Sequence, residues 1–343
     1  MSSEVHPVEY GGTARPVTVA LAGDTMLGRS VARQVAAGAG LAELFAPEVR
    51  RVAAEADLFV LNLECCVSAR GGRWPDPGKQ FFFRAPPRTA DLLAELGVDC
   101  VTLANNHALD YGRTALDDTL THLAAAGVRT VGAGEDLRAA REYAVLTAHG
   151  LRIAVVGVTD HPADFAAGPD RSGVAHADLR HGAPDWLAAL VERAAEEADA
   201  VLVTPHWGPN MTSGPAPYIR RAAAELLEAG ATLVAGHSAH VFHGAADRVL
   251  YDLGDFLDDY AVDPVLRNDL GLLFLVTFAP EGVPVRVAAV PLHLDYCRTE
   301  PARGGRRRWI RERFTGACAE LGTGVAAEGD RLVIDWSGQR VGG

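Results

Sequence analysis

Val17-Thr18-Val19-Ala20-Leu21-Ala22-Gly23-Asp24 is an apolar, partly β-branched run that stops on a carboxylate. That is the pattern of a strand buried on both faces whose end meets a site. Four later segments repeat it. Leu58 to Leu61 leads into Asn62-Leu63-Glu64, and Val101 to Leu103 into Asn105-Asn106-His107. Val201 to Val203 leads into His206-Trp207-Gly208, and Thr232 to Val234 into Gly236-His237-Ser238-Ala239-His240. Five parallel-type strands are expected to deliver oxygen and imidazole groups to one edge of a sheet, where open α/β sheets bind ligands. Core packing does not place Asp, Glu, Asn and His just past successive strands, so the ordered set reads as a metal centre.

Helical stretches Ser30 to Ala37, Thr89 to Leu96, Thr114 to Ala125, Trp186 to Glu197 and Tyr218 to Ala229 separate these runs, and Ile153 to Val158 adds a strand. The alternation predicts an α/β fold. Beyond Ala235 the period changes. Arg248 to Leu253, Leu270 to Phe278 and Val285 to Leu292 read as antiparallel strands of a second sheet, packed face to face on the first with helices outside. The boundaries expected are a flexible tail over residues 1–15, one domain over 16–300, and a C-terminal helical extension over 301–343. Within that extension Ala302 to Glu320 is helical in pattern, and Arg331 to Asp335 suits an edge strand. The longest irregular stretch, Ser68 to Pro87, carries Phe81-Phe82-Phe83, which either form an aromatic lid or fill core beneath the loop.

The chain has 343 residues, 48% hydrophobic and 22% charged, with a net charge of -12. Binding to nucleic acid or an anionic membrane needs a clustered positive field, so neither is expected as a partner. Arg306-Arg307-Arg308 reads as a solvated helix face. The N-terminus lacks the apolar core of a signal peptide, and nowhere do about eighteen apolar residues run unbroken. Five cysteines without a CxxC pair point to reduced thiols and a cytoplasmic setting.

Several fragments together resemble the CapA family of capsular poly-γ-glutamate synthesis, itself similar to calcineurin-like metallophosphoesterases. They are Ala22-Gly23-Asp24-Thr25-Met26-Leu27-Gly28-Arg29, Asn62-Leu63-Glu64, Phe83-Arg84-Ala85-Pro86-Pro87, Ala104-Asn105-Asn106-His107-Ala108-Leu109-Asp110-Tyr111-Gly112, His206-Trp207-Gly208 and Gly236-His237 to His240-Val241. The resemblance spans roughly Pro16 to His293 and implies a four-layer αββα sandwich of the metallo-dependent phosphatase type, with metal at the strand ends. Two departures stand out. Thr25-Met26 follows Asp24, so the His of the phosphoesterase Asp-x-His pair is missing, and Ser238-Ala239 stand where relatives carry His-Pro. A two-metal hydrolytic centre needs ligands for both ions, and this chain is short of nitrogen for that.

The ligand set that remains is Asp24, Glu64, Asn106, His206 and His237, with Asp255 of Leu253-Gly254-Asp255 as a further oxygen donor. Such an oxygen-rich set suits one hard divalent ion, Ca²⁺ ahead of Mg²⁺ or Mn²⁺. Soluble members of the family resemble lasso-peptide epimerases. That implies a metal-dependent peptide epimerase inverting the α-carbon of the C-terminal residue of a precursor peptide, which needs an acid/base group on each face of that carbon. Asp24, His107, His206, His240, His293 and Asp110 are the candidates for this work. His293 is the first choice for the second face and Asp160-His161 a weaker one. Asp110 either orients His107 or simply starts a helix, and His237 is either a ligand or a hydrogen-bonding group behind the site. Trp207 and Tyr218 read mainly as packing. The competing functions are a metallophosphoesterase-type hydrolase and an accessory protein of polyglutamate synthesis.

Overall fold

Runs without polar interruption build the middle of the molecule. In the computed structural model, which describes residues 15–337, β1 (Val17–Thr25), β2 (Leu58–Leu63), β3 (Cys100–Thr102) and β4 (Arg129–Val131) lie side by side in parallel. The links between them hold α1 (Arg29–Ala36), α2 (Pro47–Ala53), α3 (Thr89–Glu95) and α4 (Gly112–Ala125). The expected tail over residues 1–15 falls, apart from Arg15, outside the described residues.

The chain then builds a six-stranded second sheet from β5 (Ala144–Ala148), β6 (Leu151–Thr159), β7 (Ala200–His206), β8 (Leu233–Ala235), β9 (Ala245–Ala246) and β10 (Val249–Leu250). Its helices are α5 (Asp185–Glu197) and α6 (Pro217–Glu228). Finally it returns to the first sheet. β11 (Asp255–Leu257) runs parallel to β1, and β12 (Leu270–Phe278) pairs antiparallel with β1 over Val17 to Leu21. β13 (Pro284–Asp295) and β14 (Arg298–Pro301) follow, then α7 (Gly304–Glu320), β15 (Ala326–Glu328) and β16 (Arg331–Asp335) complete a ten-stranded sheet.

Three apolar clusters show the layers. Val19, Leu21, Val60 and Val276 of the first sheet meet Ile153, Val155 and Leu202 of the second in one buried cluster. The other face of the first sheet packs on Val31, Val49, Leu92 and Leu116 of its helices. Leu187, Val191, Ala222 and Leu226 cover the outside of the second sheet. This is the four-layer αββα sandwich expected.

Two expectations are corrected. The late strands Leu270 to Phe278 and Val285 to Leu292 do not form the second sheet; they extend the first, beside β1. The five strand-end clusters accordingly come from two sheets, three from β1, β2 and β3 and two from β7 and β8. A strand buried on both faces reads alike in either sheet, so composition carries no label for the partner. The phenylalanines of Ser68 to Pro87 also divide: Phe83 is fully buried, whereas Phe81 is 54% exposed.

The C-terminal segment is tied into the core. Ile310, Phe314 and Cys318 of α7 are buried in the cluster between the sheets, and Phe314 meets Phe242 and Phe274 edge-on. β16 is not the edge strand: it lies between β13 and β15. Removing a large buried ring costs both transfer free energy and a cavity, so Phe314→Ala is expected to destabilise the protein by about 3–5 kcal/mol. Urea unfolding followed by circular dichroism measures this. A loss below about 1 kcal/mol would mean that α7 merely rests on the surface.

Candidate metal centre

Gly23 decides how the first ligand arrives. A Cβ there would lie 1.7 Å from the Gly254 carbonyl oxygen, so only glycine lets the β11 strand close on β1. The Asp24 amide then donates to Gly254 O at 2.8 Å, which sets Asp24 and Asp255 side by side. From the second sheet, the loop after β8 turns through left-handed conformations at Ser238 (φ 106°) and His240 (φ 59°). These turns bend both flanking imidazoles back onto Asp24: His237 Nδ1 lies 3.2 Å and His240 Nδ1 3.3 Å from its two oxygens. His240 Nδ1 also stands 2.8 Å from Asp255 Oδ1, and the Ser238 amide donates to Asp24 Oδ2.

Asn62 and Asn105 lace the strand ends together. The Asn62 amide donates to Asp24 Oδ1 at 2.8 Å and Glu64 Oε1 at 3.3 Å, while Asn105 donates to Asn62 Oδ1 and Leu63 O. The Asn105 carbonyl in turn accepts from the His107 amide. His206, at the end of β7, brings Nδ1 to 3.1 Å from Glu64. Two sets of three ligand atoms result, Asp24–Glu64–His206 and Asp24–His240–Asp255, all buried and sharing Asp24.

Electrostatics make a cation the natural complement of this cluster. Burial, helped by the charge of Asp24, pushes the Glu64 and Asp252 carboxyls well above their usual range. Burial does the same to Asp255 against the pull of His240, and raises Asp258 to about 6. At Asp24 burial is outweighed by the His237 and His240 imidazoles beside its two oxygens, which hold it well below the usual range. Glu64 Oε2, Asp255 Oδ2, His206 Nε2 and Asn106 Oδ1 are buried without a hydrogen-bond partner. Unpartnered buried oxygen and imidazole nitrogen beside surplus carboxylate is a donor set that fits a divalent ion.

A second group lines the approach. His107 Nδ1 is held 2.7 Å from Asp110, whose other oxygen is 2.9 Å from Lys79 Nζ. Asp110 thus orients His107, and it also accepts from the Phe83 amide. His107, His240, Asn106, Arg29, Lys79 and Tyr260 share a cavity of about 690 Å³. Burial lowers the His107 imidazole despite Asp110, whereas Asp255 and Asp24 overcome burial at His240 and raise it well above its usual value.

Not every candidate reaches this centre. His293 bonds to Glu300 at 3.0 Å and lies 4.0 Å from Asp269, away from both ligand sets. It ends β13, whose partner β12 separates it from β1. The weaker alternative is nearer, since the His161 ring centroid is 5.2 Å from that of His206. Asp160 accepts from Tyr218 Oη and the Gly208 amide, and Trp207 is buried with its indole nitrogen donating to Tyr251 O. Asn62, Asn105, Asp252, Arg29 and Lys79 belong to the site without being among the residues the sequence nominates for it. The first two had a sequence signal, since each sits inside a strand-end cluster.

The family model described as "Bacterial capsule synthesis protein PGA_cap" matches residues 18–260. The chain belongs to that family. It is 33% identical over 294 residues to a "probable polyglutamine synthesis accessory protein" of Mycobacterium tuberculosis, covering 81% of this chain and 76% of the relative. It is 29% identical over 251 residues to the "PGA biosynthesis protein CapA" of Bacillus subtilis, covering 71% of this chain and 63% of that one. The "capsule biosynthesis protein CapA" of Bacillus anthracis is 28% identical over 264 residues, at 74% and 62% coverage. No helix among the described residues of this PGA_cap member is long and apolar enough to cross a membrane.

Glu64, Asp252 and Asp255 keep protons in the folded chain where the unfolded chain has lost them. Without added ion they therefore favour the fold at low pH, and this contribution is lost as pH rises through their raised values. A bound divalent ion replaces those protons, so the rise in thermal midpoint on adding Ca²⁺, Mg²⁺ or Mn²⁺ should be small near about pH 5 and grow towards about pH 8. In Glu64→Gln it should fall to about half or less. Differential scanning fluorimetry across pH reads both; a pH-independent shift, unchanged in the variant, contradicts the assignment.

Proposed function

We propose that this protein is a divalent-ion-dependent enzyme that acts on a carboxylate-bearing peptide chain. One observation carries the reading: two buried ligand sets share Asp24, and His240 of one of them lines a cavity whose wall also holds His107, Arg29 and Lys79. Asp24, Glu64 and His206 would hold the ion, with Asn106 and His237 as further donors. A hard ion such as Ca²⁺, Mg²⁺ or Mn²⁺ would supply Lewis-acid polarisation of a substrate carboxylate. Arg29 and Lys79 attract the same anion, and the buried floor excludes water.

For the biological setting, the relatives in mycobacteria and bacilli support an accessory part in making a polyglutamate-type chain, and they do so more directly than they support any single reaction. In that setting the site holds a glutamyl carboxylate. The chemistry favoured by the cavity is proton transfer, as in epimerisation of a peptide α-carbon, the reaction of the lasso-peptide epimerases that the sequence resembles. His107 and His240 both present their Nδ1 atoms to carboxylates, which frees Nε2 on each ring. Opposite displacements leave one ring as base and the other as acid at neutral pH. A hydrolase has less support, because Met26 occupies the place of a second imidazole near Asp24. A cytoplasmic setting and a precursor peptide as substrate belong to this proposal.

The test incubates the protein with divalent ion and, separately, a γ-glutamyl oligomer and a ribosomal-type precursor peptide in D₂O. Deuterium entering one α-position, detected by mass spectrometry and lost with chelator, is the expected outcome. His107→Gln should slow incorporation by about 100-fold while leaving peptide affinity nearly unchanged. Ion-dependent binding of the oligomer without any exchange would leave the accessory role and remove the enzymatic one. In a parallel incubation with a chromogenic phosphodiester, turnover there without exchange in either peptide would replace both with hydrolysis.

A further inference from the structure

The mouth of the cavity over the metal centre is apolar in a way that the chemistry below does not require. Among the described residues five large hydrophobic side chains stand well exposed, and two of them, Phe81 (54%) and Val262 (53%), line this one cavity. Val265, at 78%, follows Pro264 of the same lining. Met211 and Ala261 continue the surface. Exposed apolar groups gathered around one opening mark a place that a ligand covers.

A single guanidinium stands among these groups. Arg29 lies over the rings of Phe81, Phe83 and Tyr260, at 5.8, 5.3 and 5.4 Å from their centroids. Asp259 engages Nε and Nη2. Nη1 has no partner among the described residues, and it belongs to a residue of the cavity lining. Lys79, also in the lining, donates to Asn106 O at 2.8 Å and lies 2.9 Å from Asp110. The rim also holds Asp263, whose Oδ1 accepts from the Val265 and Leu266 amides. That carboxylate, together with the net charge of -12, repels a chain of repeated anions but tolerates one.

We infer that the cavity selects a peptide segment in which one free carboxylate stands beside a bulky apolar side chain: Arg29 reads the carboxylate, and the Phe81–Val262 rim covers the side chain. The inference rests on the carboxylate-binding reading above and narrows it, since a run of glutamyl residues offers the anion without the apolar neighbour. Fixed charge in a rigid aromatic bracket gives Arg29 its geometry, and desolvation at the rim gives the preference for size.

The experiment measures binding of the full chain, loaded with Mg²⁺ or Ca²⁺, by isothermal titration calorimetry. The probes are acetyl-Ala-Phe, its C-terminal amide, acetyl-Ala-Ala and tri-γ-glutamate. Acetyl-Ala-Phe is expected to bind at least about tenfold tighter than each of the others. Arg29→Gln should erase the preference for acid over amide, and Arg29→Lys, which keeps the charge for Asp259, should restore part of it. Val262→Ser, a neutral change at an exposed position where folding is not at stake, should reduce the preference of Phe over Ala and leave that of acid over amide. Tighter binding of tri-γ-glutamate, or a Phe preference untouched by Val262→Ser, overturns this inference while the ion-and-carboxylate reading stands. Failure of every probe to bind in the presence of ion overturns both.

Discussion

Everything at the centre depends on the crowding of carboxylates around Asp24 at the seam between two sheets. Asp24 is buried and within hydrogen-bonding reach of His237, His240, Asn62 and the Ser238 amide. Glu64, Asp252 and Asp255 are buried beside it, and that burial, with the charge of Asp24 added, makes each of them harder to ionise. Such an arrangement is costly unless positive charge neutralises it, whether from protons, imidazolium or a metal ion. The sandwich therefore does more than supply ligands: by excluding water it makes a cation the cheapest way to satisfy them.

The strand ends that meet there are held by amides rather than by packing alone. Asn105 bonds both Asn62 and the backbone at Leu63, so β2 and the loop after β3 move as one. Gly23 lets β11 approach β1 closely, and the left-handed turns around Ser238 and His240 aim two rings at one carboxylate. These features each break a local preference, and each is found where ligands converge, which is where departures from ideal local structure are expected.

Much of this was legible beforehand. The five apolar runs with polar ends and the helices between them follow from periodicity, whereas the family, and the four layers it implies, follow from the fragments around Asp24, Asn106 and His107. His293 shows where that reading fails. A His beside an Asp at the end of a strand has the same local signature whether or not the strand borders the site, and here β12 stands between β13 and β1. Asp252 falls inside the run Arg248 to Leu253 that reads as a strand, Arg29 and Lys79 end no apolar run, and the importance of all three comes from neighbours distant in the chain.

The sequence by itself determined the α/β class, the identity of Asp24, Glu64, His107, His206 and His240 as polar groups at strand ends, and the PGA_cap family, because hydrophobic period and short motifs are local properties. Tertiary structure alone decided which sheet each strand joins and that the late strands return to pair with β1. It also decided that His107 and His240 face one cavity while His293 faces Glu300. Those are matters of pairing between residues far apart in the chain, 259 positions for Thr18 and Thr277, and the free energy that selects among pairings comes from burying whole faces together. No single segment carries it.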